Sequence, residues 1–186
     1  MRLTVMVVDN LSPFTDDILN CLGQLGETHF QRRFFEVSEQ DLAQCEKVIL
    51  SGRRKYSKEI NAVNSRITRY CQAKDKPILG ICYGAEIIAL TLGGSISKMP
   101  TPSQGLTEVS ISRTNPLTRG KNSILVYESH RYSIAKLPSN FISVGSSECC
   151  QHEVFCSHNN MIYGTQFHPE KSGDDGRDLL KNFLNT

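Results

Sequence analysis

The sequence has no tryptophan, no apolar run longer than a strand, almost no net charge and no closely spaced cysteine pair of the C-x-x-C kind. The longest apolar stretches, such as Leu3 to Val8 and Val48 to Leu50, fall far short of the ~18 residues that a membrane-spanning helix needs, which excludes a helical membrane protein. Lys and Arg number 21 against 19 Asp and Glu, a formal charge of +2. That is not the concentrated cationic excess of a nucleic-acid binder. The N-terminus carries one early Arg2 and passes straight into a strand-like run, without the charged stretch, longer apolar core and small-residue cleavage site of a secretory signal. A cytoplasmic protein is expected. The cysteines (Cys21, Cys45, Cys71, Cys82, Cys149, Cys150 and Cys156) number seven, an odd count in a chain too long to need stapling. Reduced thiols are the better reading, and at least one of them merits testing as a nucleophile.

At 186 residues the chain suits one domain, residues 1–186, that buries roughly two-thirds of its unfolded surface. The run Leu3 to Val8 reads as a strand buried on both faces. After the turn residues Asn10 to Pro13, the apolar residues Phe14, Ile18, Leu19, Leu22 and Leu25 recur at helical spacing, and Gly26 stands where a helix stops. A short strand over Phe30 to Phe35, a polar stretch, and a buried strand Lys47 to Leu50 follow. The spacing of Ile60, Val63, Ile67, Tyr70 and Cys71 predicts a helix from Ser57 to Ala73. Ile78 to Ile81 is again a strand, and a compact apolar helix follows it to Gly93. Alternating units of this kind build a mostly parallel sheet with helices on both faces. Beyond Gly94 the segments become short and strand-like: Thr107 to Ile111, Ser123 to Tyr127, Phe141 to Val144, Glu148 to Ser157 and Met161 to Gln166. Antiparallel additions to the sheet are expected there, with Pro100 to Gly105 as a mobile loop and Asp175 to Leu184 as a closing helix.

Gly80, Ile81, Cys82, Tyr83 and Gly84 spell G-x-C-x-G at a strand-to-helix junction. A sharp turn there lifts a nucleophile out of the sheet, and side chains two residues before and after it would strike neighbouring backbone. The helix N-terminus should favour thiolate at Cys82, and the Tyr83 N–H would be one oxyanion-hole donor. A buried cysteine in an ordinary glycine-containing turn is the plainer alternative for this pattern alone. Of five histidines, His168 leaves a strand end at a corner fixed by Pro169, with Glu170 two residues on. Thiol, imidazole and carboxylate then fill the roles of a nucleophilic triad: attack, proton transfer and orientation of the imidazole.

GICYG at residues 80 to 84 together with YGTQFHPE at residues 163 to 170 resembles the class I (triad) glutamine amidotransferase family, and the likeness runs from VVDN at residues 7 to 10 to the closing helix. The resemblance implies an α/β, flavodoxin-like, three-layer domain whose mostly parallel central sheet is flanked by helices, with antiparallel strands in the second half. It also implies hydrolysis of the glutamine side-chain amide through a Cys82 thioester, delivery of ammonia to a separate ATP-dependent synthetase chain, and no metal or organic cofactor. ESHRYSI at 128 to 134 and LPSNF at 137 to 141 are most similar to the glutaminase subunit of GMP synthetases. DNLSPFTDDI resembles the anthranilate and aminodeoxychorismate synthase component, and HPEKSGDDG the imidazole-glycerol-phosphate synthase subunit.

Within the family pattern Gly52, Arg53 and Tyr83 would supply the oxyanion hole, and Gly52, Glu86, Arg131 and Tyr132 would bind substrate. His130, Arg53, Arg54 and Lys55 would contact the partner. Several positions depart from it. Arg53 replaces a glycine whose backbone angles it would have to adopt. Glu86 replaces a glutamine, keeping the shape but losing the amide donor. Tyr132 stands where an aspartate is common. These departures leave open a catalytically weak binding paralogue, or an enzyme acting on another γ-glutamyl compound. Cys150, His152, Cys156 and His158 share one side of an expected strand and suggest zinc. At ~3.3 Å per residue, however, they span ~27 Å, too far for one ion.

Overall fold

The computed structural model describes residues 4–186; Leu3, the first residue of the first expected strand, lies outside the described residues. Nine strands form one sheet in the order β2-β1-β3-β4-β9-β8-β7-β5-β6. The strands β1 (Thr4–Asp9), β2 (Thr28–Arg33), β3 (Lys47–Leu50), β4 (Ile78–Ile81) and β9 (Ile162–Thr165) pair in parallel. From β9 outward β8 (Val154–Ser157), β7 (Phe141–Ser146), β5 (Ser95–Ile111) and β6 (Ser123–Lys136) continue it antiparallel.

The period-2 geometry of β1 explains its unbroken apolar run. Val5 and Val7 face one core with Ile18 and Leu22 of α1 (Thr15–Gln24) and Leu180 and Phe183 of α5 (Gly173–Leu184). Met6 and Val8 face another, with Ile60 and Ile67 of α3 (Lys58–Ala73) and Ile88 of α4 (Tyr83–Thr91). Helices therefore cover both faces, as the alternating pattern requires. Ser57 caps α3 by accepting from the Glu59 and Ile60 N–H groups.

Four sequence expectations need correction. The strand expected over Phe30 to Phe35 stops at Arg33, where Phe34–Glu36 turns as a 3-10 helix. The polar stretch after it contains a short helix, α2 (Glu39–Gln44), started by a reciprocal cap between Ser38 and Asp41. Pro100 to Gly105 is not a separate loop but part of β5. The pairing with β6 shifts register between Lys98 and Ser103, where two prolines lack the N–H that a ladder needs. The expected strand from Glu148 to Ser157 begins only at Val154, because residues 149–152 form a turn. That turn removes the face on which the cysteine and histidine set was to align.

Candidate active site

The parallel strands β1, β3, β4 and β9 all end at one edge of the sheet, and the residues just past those ends meet there. Cys82 follows β4 and opens α4 with φ 52° and ψ −107°, a left-handed conformation that strains any residue carrying a Cβ. The two glycines of the motif explain how the turn closes. A Cβ on Gly80 would sit 2.4 Å from the Gly84 carbonyl, and one on Gly84 would sit 2.4 Å from the Leu50 oxygen. Tyr83 presses its hydroxyl on Asn61 Oδ1 at 2.9 Å, fixing the first turn of α4 to α3.

His168 and Glu170 are buried just beyond β9, with Nδ1 and Oε1 2.7 Å apart. The Glu170 carboxylate accepts the Nδ1 proton in that arrangement, which leaves Nε2 as the free base. The corner is held from both sides. The His168 N–H donates to the Tyr127 carbonyl, the Ser172 hydroxyl donates to the His168 carbonyl, and Phe14 meets the imidazole edge-on at 4.8 Å. A side-chain carbon at Gly52 would lie 3.1 Å from His168 Cε1 and 3.8 Å from Cys82 Cβ. Imidazole and cysteine thus flank one glycine past β3, and only the missing side chain lets them approach. Asn10, Ser51 and Asn64 lock that loop: the Asn10 N–H donates to Ser51 Oγ at 2.9 Å, and the Asn64 amide donates to Asn10 Oδ1 at 2.6 Å.

The thiol is not the activated thiolate that the helix N-terminus alone would give. Burial pushes the Cys82 thiol well above its ordinary range and the nearby Glu86 carboxylate adds to this, while only the Tyr83 N–H acts in the other direction. A protonated resting nucleophile therefore needs a base at the moment of attack. Arg53 also differs from expectation. Its φ is not positive, so it carries no glycine-type strain. Its guanidinium stacks 3.9 Å from the Tyr83 ring centroid and donates to Asn61 Oδ1 at 2.9 Å.

A cavity of about 310 Å³ opens beside Cys82, lined by Glu86, Ser129, Arg131 and Tyr132 as well as by Arg53 and Tyr83. A second, of about 440 Å³, reaches Cys82 and His168 from the Phe14 side. Glu86 is buried, accepts from the Gln166 amide at 3.3 Å, and has its carboxyl pushed up to about 7 by burial. Arg54 and Lys55 are exposed at the mouth. His130, expected at a partner contact, instead points inward with its side chain 1% exposed. Sequence reasoning missed Ser129, whose carbonyl lies 3.8 Å from Cys82 Sγ, and Phe14. The ESHRYSI stretch pointed to the former; nothing in the sequence marked the latter.

The raised Glu86 carboxyl has a consequence for stability. The folded state holds this proton between the ordinary glutamate range and pH 7, whereas the unfolded chain has released it. Stability from this group is complete below about pH 4.5 and is lost as pH rises through about 7. Glu86→Gln should therefore be more stable than wild type at pH 8, by about 1–3 kcal/mol, with the gain shrinking toward pH 5. Thermal melts of both proteins across that range check this.

The glutamine amidotransferase class-I family model matches residues 6–186. The chain belongs to the class I glutamine amidotransferase family. The glutamine-hydrolysing subunit of the GMP synthase of Thermoplasma acidophilum is 36% identical, covering 98% of this chain and 92% of that protein. A crystal structure described as that of a GMP synthase subunit from the same organism superposes with a TM-score of 0.90. It is 33% identical and covers 100% of this chain and 94% of that one. A glutamine amidotransferase structure from Thermotoga maritima, 19% identical, shares the amidotransferase fold at a TM-score of 0.78 over 100% of this chain and 84% of its own.

Proposed function

We propose that this chain is a glutaminase subunit that supplies ammonia to a separate ATP-dependent GMP synthetase chain, and that residues 1–186 act as one catalytic domain in the cytoplasm. No helix among the described residues is long and apolar enough to cross a membrane. The observation that carries the reading is the strained Cys82 at the floor of a cavity shared with the oriented His168–Glu170 pair, in a chain alike over nearly its whole length to the glutamine-hydrolysing subunit of GMP synthase.

Glutamine enters the cavity beside Cys82, where ionised Glu86 accepts from its ammonium and Arg131 offers a fixed positive charge to its carboxylate. His168 Nε2 takes the thiol proton as sulfur attacks the side-chain carbonyl. The developing oxyanion is held by backbone N–H groups at Tyr83 and at the Gly52–Arg53 turn. Collapse of the adduct breaks the C–N bond, His168 returns the proton to the leaving nitrogen, and ammonia departs from a Cys82 thioester. Water then cleaves the thioester to glutamate. Glu170 keeps the imidazole in the tautomer both steps need. The exposed Arg54 and Lys55 at the mouth suit docking of the synthetase.

Ammonia release from glutamine, measured with and without the ATP-pyrophosphatase subunit of a GMP synthetase, tests this. Partner-stimulated release coupled to ATP-dependent GMP formation is expected. One observation favours a second reading: the buried Glu86 in place of glutamine suits another γ-glutamyl compound. Partner-independent release from γ-glutamyl amides, with none from glutamine, would establish that reading instead.

A further inference from the structure

Along β6 the inward positions read Ile124, Val126, Glu128 and His130, so an apolar face turns ionisable halfway along the strand. Glu153, just before β8, points at the same spot and is 1% exposed, while Glu128 is wholly buried. Two carboxylates and an imidazole thus converge in the interior, their facing atoms within 4.8 Å of one another.

Their hydrogen bonding is incomplete in a specific way. The His130 Nδ1 lies 2.8 Å from the Tyr132 carbonyl, which can only accept, so Nδ1 carries a proton and neutral Nε2 presents a lone pair. Ser147 Oγ donates to Glu153 Oε1 at 2.6 Å and leaves Oε2 without a partner. Both Glu128 oxygens lack one. His130 Nε2 and Glu128 Oε2 are 2.7 Å apart but out of hydrogen-bond alignment, and neither counts a partner. Groups that approach without aiming at each other are arranged as ligands around a shared centre, not as donor and acceptor. Burying such acceptors without a cation is expensive.

We propose that Glu128, His130 and Glu153 hold a divalent transition-metal cation, with Zn²⁺ as its type. One imidazole nitrogen and carboxylate oxygens suit Zn²⁺. The outer contacts already follow the pattern of such centres: the ligating histidine donates its other N–H to a carbonyl, and a ligating carboxylate is steadied by a hydroxyl. The cation ties β6 to the turn before β8. Glu128 and His130 flank Ser129, whose carbonyl faces Cys82, so the ion stiffens the wall of the cavity beside the nucleophile without touching substrate.

The test is calorimetric titration of the chelator-stripped full chain with Zn²⁺, repeated on Glu128→Gln and Glu153→Gln, with melting curves for each protein. One ion per chain is expected, with a Zn²⁺-dependent rise in wild-type melting temperature and affinity lowered more than about tenfold in either variant. Because the chain carries free thiols, absorption spectra of the Co²⁺-loaded wild type are recorded as well. Bands of nitrogen and oxygen ligation without thiolate charge transfer are expected, and this readout stands even if a variant fails to fold. No binding, affinity unchanged in folded variants, or thiolate bands in the Co²⁺ protein would each overturn the proposal.

Discussion

Cys82→Ala should lower glutamine hydrolysis by about 10⁴-fold or more while leaving the fold intact, because no other thiol lies at the sheet edge beside His168. His168→Ala should cost a comparable factor, and the double variant little more than either, since a nucleophile and its base act as one unit. The stability readout separates this from a general defect. Cys82 sits at φ 52°, so replacing it by glycine removes a strained Cβ that alanine retains. Cys82→Gly should melt above Cys82→Ala by about 1 kcal/mol, reversing the usual order of these residues at a helix start, while both are equally inactive. Equal melting temperatures would mean that the turn carries no strain.

Gly80→Ala should unfold the protein or lower its stability by about 4 kcal/mol, the upper range for one substitution. The new carbon would lie 2.4 Å from both the Gly84 carbonyl carbon and oxygen and 2.5 Å from the Ala85 nitrogen. All three are backbone atoms of the turn that presents Cys82, so no rotamer change relieves the clash. A control comes from the same chain. Gly26 has φ +77° with nothing within 4 Å of its missing Cβ, so Gly26→Ala should cost only the backbone penalty of about 1–2 kcal/mol. Denaturant melts of the two variants, compared with wild type, give both numbers. A Gly80→Ala protein as stable as Gly26→Ala would contradict this geometry of the turn.

The parallel half of the fold was legible because each of its elements announces itself locally. The apolar runs at Val5 to Val8 and Val48 to Leu50, the stripe from Ile60 to Cys71 and the glycines after α1 and α4 each follow from one periodicity or one cap. The short helix α2 was missed although Ser38 and Asp41 stand three apart, because its six residues carry too few apolar positions to show a period. The antiparallel half was less legible. The partners of β5 lie far along the chain, and its prolines mark a register shift that in sequence looks like a loop. Within the site, Cys82, Gly84, His168 and Glu170 could be found because turn chemistry and chain order constrain them. The state of the thiol could not, since the burial and the Glu86 charge that hold it protonated depend on tertiary packing. His130 was misjudged for the same reason: a strand alternation identifies the inward face only when the pairing partner is known.

Labelling of the full chain with a glutamine-analogue electrophile, read by peptide mass spectrometry with and without the synthetase partner, decides whether Cys82 is the nucleophile of a glutaminase. One adduct is expected, on Cys82, formed faster with the partner present and suppressed by glutamine. No adduct at Cys82 under either condition, while another cysteine is labelled or none is, would contradict that assignment.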